Sequence, residues 1–124
     1  MNLANICIIT SDVWGLRDFY RRVLQVEPKD YTEHYVEFPM EHAAVSLYSL
    51  TEHEEFAPGS AQAAANRSIM LEFEVDDVDA QFERLKTDVE WVMFPTTLPW
   101  GNRSVYFRDP DGNLINFYSR VPTN

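Results

Sequence analysis

The 124-residue sequence predicts an α+β chain built from two βαβββ modules. Three observations predict it. A strand followed by Asp-Val and an amphipathic helix occurs at Asp12-Val13 and again at Asp77-Val78, an offset of 65 residues. Strand blocks repeat behind each helix: Val36 and Phe38 match Val105 and Phe107 at an offset of 69, and Leu47-Tyr48-Ser49 matches Phe117-Tyr118-Ser119 at 70. The chain nearly closes on "VYFRDPDGNLINFYSR", which reads as strand, tight turn and strand. Such a pattern is an internal duplication, with insertions accounting for the drift in offset. Neither half can bury its sheet face alone. The two are expected to share a core and a cleft in one domain over 1–124, with modules at about 1–50 and 67–124 and a connector at about 51–66.

The elements follow in order. Apolar residues run from about Leu3 to Thr10 and predict the first strand. Ser11 or Asp12 can cap the next helix, because their side-chain oxygens accept from free first-turn amides. Val13, Leu16, Tyr20, Val23 and Leu24 recur at three- and four-residue steps and form one apolar face, ended by Pro28. "KDYT", "YVEFP" and "AAVSLYSL" are short strands. "TEHEEFAPGSAQAAAN" mixes charge, Pro-Gly and small residues and reads as the connector, with a helical turn in "SAQAAA". "SIMLEFEVDDVDAQFERL" repeats strand, Asp and helix, with Val78, Phe82 and Leu85 on the helix face. "EWVMFP", the loop "TTLPWGN" and the closing hairpin complete the second module; Asp111-Gly112 or Gly112-Asn113 supplies the turn.

Composition narrows the function. A formal net charge of -10 repels phosphate backbones, so nucleic acid is not an expected partner, and a cationic ligand is the partner that such a surface attracts. Cys7 is the single cysteine and excludes an internal disulfide. No basic leader and no run of membrane-spanning length is present, so a cytoplasmic protein without membrane contact is expected.

The opening "SDVWGLRDFYRRVL", the repeated "EVDDVDA" and above all "PWGNRSVYFRDPDGNLINFY" resemble the vicinal oxygen chelate superfamily, which contains glyoxalase I, bleomycin-resistance proteins and extradiol dioxygenases. The resemblance implies the glyoxalase/bleomycin-resistance fold, in which paired βαβββ modules curl mixed sheets around a ligand cleft, and it implies a homodimer. It also implies where metal ligands, mostly His and Glu, stand in metal-using members. Seven positions before the two capping aspartates stand Asn5 and Met70. The acid of the closing strand is replaced by Asn116, whose counterpart in the first half is Ser46. None of the four is His, Asp, Glu or Cys, and amides, hydroxyls and a thioether hold nickel, zinc or iron poorly. No metal and no other cofactor is therefore expected. His34, His42 and His53 form no spaced pair and read as surface or structural residues.

Alternation along the strands sets Met70, Glu72 and Glu74 on the cleft face, with Leu71, Phe73 and Val75 toward the helices. Ser46 goes with Tyr48, and Asn116 with Leu114 and Tyr118. Trp91 and Trp100 are further candidates for stacking on a planar ligand; pinning a loop or a dimer contact is the alternative use of Trp100. The ligand-binding set is thus Asn5, Ser46, Tyr48, Met70, Glu72, Trp91, Trp100, Asn116 and Tyr118, with Glu72 as the only candidate catalytic base. "RDPDG" is turn chemistry. The leading reading is a metal-independent small-molecule binding protein resembling bleomycin-resistance proteins, sequestering a cationic or aromatic ligand. The alternatives are an enzyme of the glyoxalase/dioxygenase type (lyase, isomerase or dioxygenase, metal-free or with a non-standard metal site) and an interaction domain whose cleft is vestigial.

Overall fold

The computed structural model describes residues 1–121; Pro122, Thr123 and Asn124, assigned above to the second module, lie outside the described residues. The order is β1 (Asn5–Thr10), α1 (Val13–Leu24), β2 (Lys29–Thr32), β3 (Tyr35–Phe38), β4 (Ala44–Ser49), α2 (Leu50–Phe56), β5 (Met70–Glu74), α3 (Val78–Leu85), β6 (Glu90–Thr97), β7 (Asn102–Arg108) and β8 (Leu114–Arg120). The chain divides into two compact units, Met1–Ala65 and the residues from Asn66 onward.

Each unit holds one four-stranded mixed sheet, ordered β1-β4-β3-β2 in the first and β5-β8-β7-β6 in the second. The duplication extends to pairing. β1 runs parallel to β4 with Cys7 opposite Ser46, and β5 runs parallel to β8 with Glu72 opposite Asn116. The helix caps are equivalent too: Asp12 accepts from the Gly15 amide at 2.9 Å and Asp77 from the Ala80 amide at 3.1 Å. Each satisfies a first-turn N–H that has no partner within its helix.

In the first unit, Val13, Leu16, Phe19, Tyr20 and Val23 of α1 are buried, as are Val36, Phe38, Val45 and Leu47 of the sheet. Tyr20 meets Phe38 with ring centroids 6.2 Å apart. In the second, Val78 and Leu85 of α3 are buried together with Leu71, Val105, Phe107, Ile115 and Phe117. Each fully buried aliphatic or Phe side chain stabilises its unit by about 1.5–3 kcal/mol. One sheet face per unit is thereby committed to the helix, and the other carries the polar residues.

Three expectations need correction. The helix of the connector is not in "SAQAAA", where only a turn forms at Ala63 and Ala64; it is α2, and it packs on β4 and β1 as part of the first unit. Ser49 caps α2 by accepting from the Glu52 amide at 3.1 Å, and Ser49 with Glu52 has the spacing of a capping box. The first strand begins at Asn5 rather than Leu3. "TTLPWGN" is not all loop: β6 continues through Pro95 to Thr97, because register shifts between Trp91 and Met93 and between Met93 and Thr96 absorb the proline on an edge strand.

Candidate functional site

Each unit carries a candidate face, the side of its sheet turned away from α1 in the first unit and from α3 in the second. In the first unit, register sets Cys7, Ser46 and Glu37 in one cross-strand row and Ile9, Tyr48 and Tyr35 in the next. Asn5 donates its Nδ2–H to Ser46 Oγ across 2.9 Å, so these two residues meet. Ser46 is fully buried while Asn5 is exposed. Beyond them the rings of Tyr31, Tyr35, Tyr48 and His53 form a chain, with centroid separations of 5.6, 6.1 and 5.8 Å. Desolvation pushes the Tyr48 phenol up, and Glu52, Cys7 and Glu55 push it further. Tyr48 is therefore a proton-bearing O–H donor at neutral pH.

In the second unit, three rows cross the face: Met70–Leu114–Arg108, Glu72–Asn116–Tyr106 and Glu74–Tyr118–Ser104. The first row lines a pocket of about 130 Å³, closed on its other side by Asn66, Arg67, Ser68 and Ile69. Asn66 folds that segment over by accepting from the Ser68 and Ile69 amides at 3.3 and 3.0 Å. In the second row, Asn116 donates its Nδ2–H to Glu72 Oε2 across 2.8 Å. Glu72 is exposed, whereas Asn116 is 3% exposed and its Oδ1 accepts from no donor among the described residues. A strand presents its neighbours about 4.8 Å away, so a parallel pair with opposed Glu and Asn brings a carboxylate and an amide into this contact without distortion.

The other candidates are placed as follows. Tyr118 is half-buried on the same face as Asn116, and Met70 is half-buried at the mouth of the pocket. Trp100 is 69% exposed at the turn between β6 and β7, which Gly101 permits with a φ of 101°. Trp91 is not brought to the site. It pairs with the core residue Phe107, its ring lies 4.8 Å from Phe82 of α3 and 5.5 Å from Phe107, and its Nε1–H donates to Lys86 O at 3.0 Å. It pins α3 to the sheet.

Sequence reasoning missed Tyr35, Glu37 and Tyr106 on these faces. The alternation of "YVEF" and "SVYF" carries the signal, since Val36, Phe38, Val105 and Phe107 are core and their neighbours must point away. The histidines do not come together: His34 lies between Glu33 at 3.3 Å and Glu52 at 3.7 Å, His42 is exposed, and His53, at the end of the ring chain, also contacts Ser60 Oγ at 2.7 Å. Among the described residues no group of three His, Cys, Asp or Glu side chains is arranged to hold a metal ion. Among them, too, no helix is long and apolar enough to cross a membrane.

The hairpin turn is structural. Asp109 Oδ1 accepts from the Asp111 and Asn113 amides, both at 2.9 Å, and Oδ2 accepts from Asn113 Nδ2 at 2.7 Å. Arg108 donates to Gly112 O at 3.0 Å, and Gly112 takes a φ of 84°.

Comparison with known proteins places these features. The family model Glyoxalase/Bleomycin resistance protein/Dioxygenase superfamily matches residues 2–117. "Uncharacterized protein YraH" of Bacillus subtilis (strain 168) is 28% identical over 129 residues, covering 98% of this chain and 100% of that protein. A protein of unknown function from Agrobacterium tumefaciens str. C58 superposes with a TM-score of 0.82 at 28% identity, over 98% of this chain and 95% of that one. A glyoxalase/bleomycin resistance protein/dioxygenase family enzyme from Burkholderia phytofirmans PsJN superposes with a TM-score of 0.85 over 98% and 100% of the two chains, at an identity of 15% that speaks for the fold alone.

Proposed function

Because the chain belongs to the glyoxalase/bleomycin resistance protein/dioxygenase superfamily, yet carries Asn5, Ser46, Met70 and Asn116 where metal ligands are expected, we propose that it is a metal-independent small-molecule binding protein, working as a homodimer without a cofactor. The observation that carries this reading is the face of the second unit. A pocket lined by Ile69, Met70 and Leu114 on one hand and Asn66, Arg67, Ser68 and Arg108 on the other adjoins a row of Glu72, Asn116 and Tyr106. Apolar side chains together with directed polar groups are what a small-molecule site combines. Tyr118 on the same face supplies further ring surface for a planar ligand.

Ligand capture needs only these contacts. Asn5 donates to Ser46 in the first unit and Asn116 to Glu72 in the second, so these positions form hydrogen bonds in place of coordination bonds. The deciding experiment is native mass spectrometry of protein purified from its own host without chelator. A dimer that retains an organic molecule and no metal supports the reading. A stoichiometric divalent metal, or chemical turnover of the retained molecule, replaces it with an enzyme.

A further inference from the structure

We propose, resting on the small-molecule reading above, that Glu72 and Asn116 together recognise a protonated nitrogen group of the amidinium class on the ligand. The pair has an unbalanced inventory. Glu72 Oε2 accepts the Asn116 Nδ2–H at 2.8 Å. That leaves a second carboxylate oxygen and the buried Asn116 Oδ1, which accepts from no donor among the described residues. Two acceptors and a negative charge stand side by side, and leaving a buried acceptor unmade is costly. A group that brings adjacent N–H donors and positive charge satisfies both at once, through charge-assisted hydrogen bonds.

Other occupants fit less well. An anion meets the Glu72 carboxylate and a chain of net charge -10, while the cation of the neighbouring row, Arg108, donates to Gly112 O. A divalent metal finds one carboxylate and one amide oxygen, short of the three or four ligands that it requires. Glu72 is exposed and Asn116 is 3% exposed, so a ligand meets the Glu72 carboxylate first and reaches the buried Asn116 Oδ1 only as the neighbouring side chains give way. Two residues along each strand stand Met70 and Leu114, apolar side chains of the same face that receive the body attached to the cation, while Arg67 and Arg108 at the far side of their pocket keep the positive group itself at Glu72.

Benzamidinium is the probe, with acetophenone as its neutral counterpart. In a titration of the full-length protein followed by NMR, benzamidinium is expected to shift the Asn116 side-chain amide signals and the Met70 methyl signal. Glu72→Gln is expected to weaken benzamidinium binding by about tenfold or more and to abolish the preference for benzamidinium over acetophenone. Since Glu72 is exposed, that variant keeps the fold, checked by an unchanged melting curve. The proposal is overturned if benzamidinium leaves Asn116 unmoved at about 1 mM, if Glu72→Gln binds it equally well, or if zinc shifts the same signals more tightly than benzamidinium does. A molecule without protonatable nitrogen retained by the native protein overturns this inference and leaves the small-molecule reading intact. No binding of either probe and no retained molecule removes both.

Discussion

Glu72 and Asn116 face each other on parallel strands and share one hydrogen bond of 2.8 Å, with the amide buried and the acid exposed. The contact works because one partner is neutral. Asn116→Glu places a second carboxylate in the buried position, where desolvation and repulsion from Glu72 both raise its pKa. Its folded state then binds protons more tightly than its unfolded state. Stability is highest at low pH, falls as pH rises through the unfolded value of about 4.3, and levels off above the raised folded value. At neutral pH the expected loss is about 2 kcal/mol or more. Melting curves of wild type and variant between about pH 4.5 and about pH 8 check this; equal stability throughout shows that position 116 faces open water.

Elemental analysis of untagged protein should find no stoichiometric nickel, zinc, iron or manganese. Asn5 is already engaged with Ser46 Oγ, and neither side chain is a good ligand. One metal per chain, lost on substituting Asn5, Ser46, Met70 or Asn116, contradicts the metal-free reading.

Arg103 donates to both carboxylate oxygens of Asp79, at 2.6 and 2.8 Å. That hydrogen bonding, with the guanidinium charge, holds the Asp79 carboxyl below its usual value. The stabilisation is present above the unfolded pKa of about 3.9 and is lost as pH falls through the depressed folded value. Both side chains are partly exposed, so Asp79→Asn should cost less than about 1 kcal/mol at neutral pH. Urea titrations of the pair should converge in acid; a difference that persists there assigns the effect to something other than charge.

Ser49→Ala removes the acceptor for the Glu52 amide. The expected cost is about 1 kcal/mol, with faster hydrogen exchange at that amide. An unchanged exchange rate means that water caps α2 equally well.

Sedimentation at micromolar concentration should show a homodimer. β6 is an edge strand that leaves Val92 and Phe94 50% and 64% exposed, and such an edge needs cover. Only monomer, with Val92→Lys unaltered in mass, excludes this.

Legibility in the sequence followed locality. Both capping aspartates, the two strand triplets behind each helix and the hairpin turn rest on residues within a few positions of one another, and all could be placed. α2 was missed because Ser49 closes an apolar strand and opens a helix at once, so periodicity hid the capping spacing to Glu52. Trp91 was misplaced because the register shift before Met93 turns two residues of nominally equal phase to opposite faces, one pairing Phe107 and the other Tyr106. Glu72 and Asn116 could be put on one face, but their hydrogen bond depends on which strands become neighbours. β5 lies beside β8 rather than β6, and that is decided by packing across the whole unit.

Asp109 is 4% exposed and spends both oxygens on the turn that it closes. The stretch by which the chain is most readily recognised is thus maintained by backbone needs, and it is silent about chemistry. On the proposed reading, identity and specificity are written in separate alphabets: the first in a turn that tolerates little, the second in side chains of the sheet faces. Two chains that share this turn can hold entirely different molecules, and a name inherited through the turn describes an architecture only.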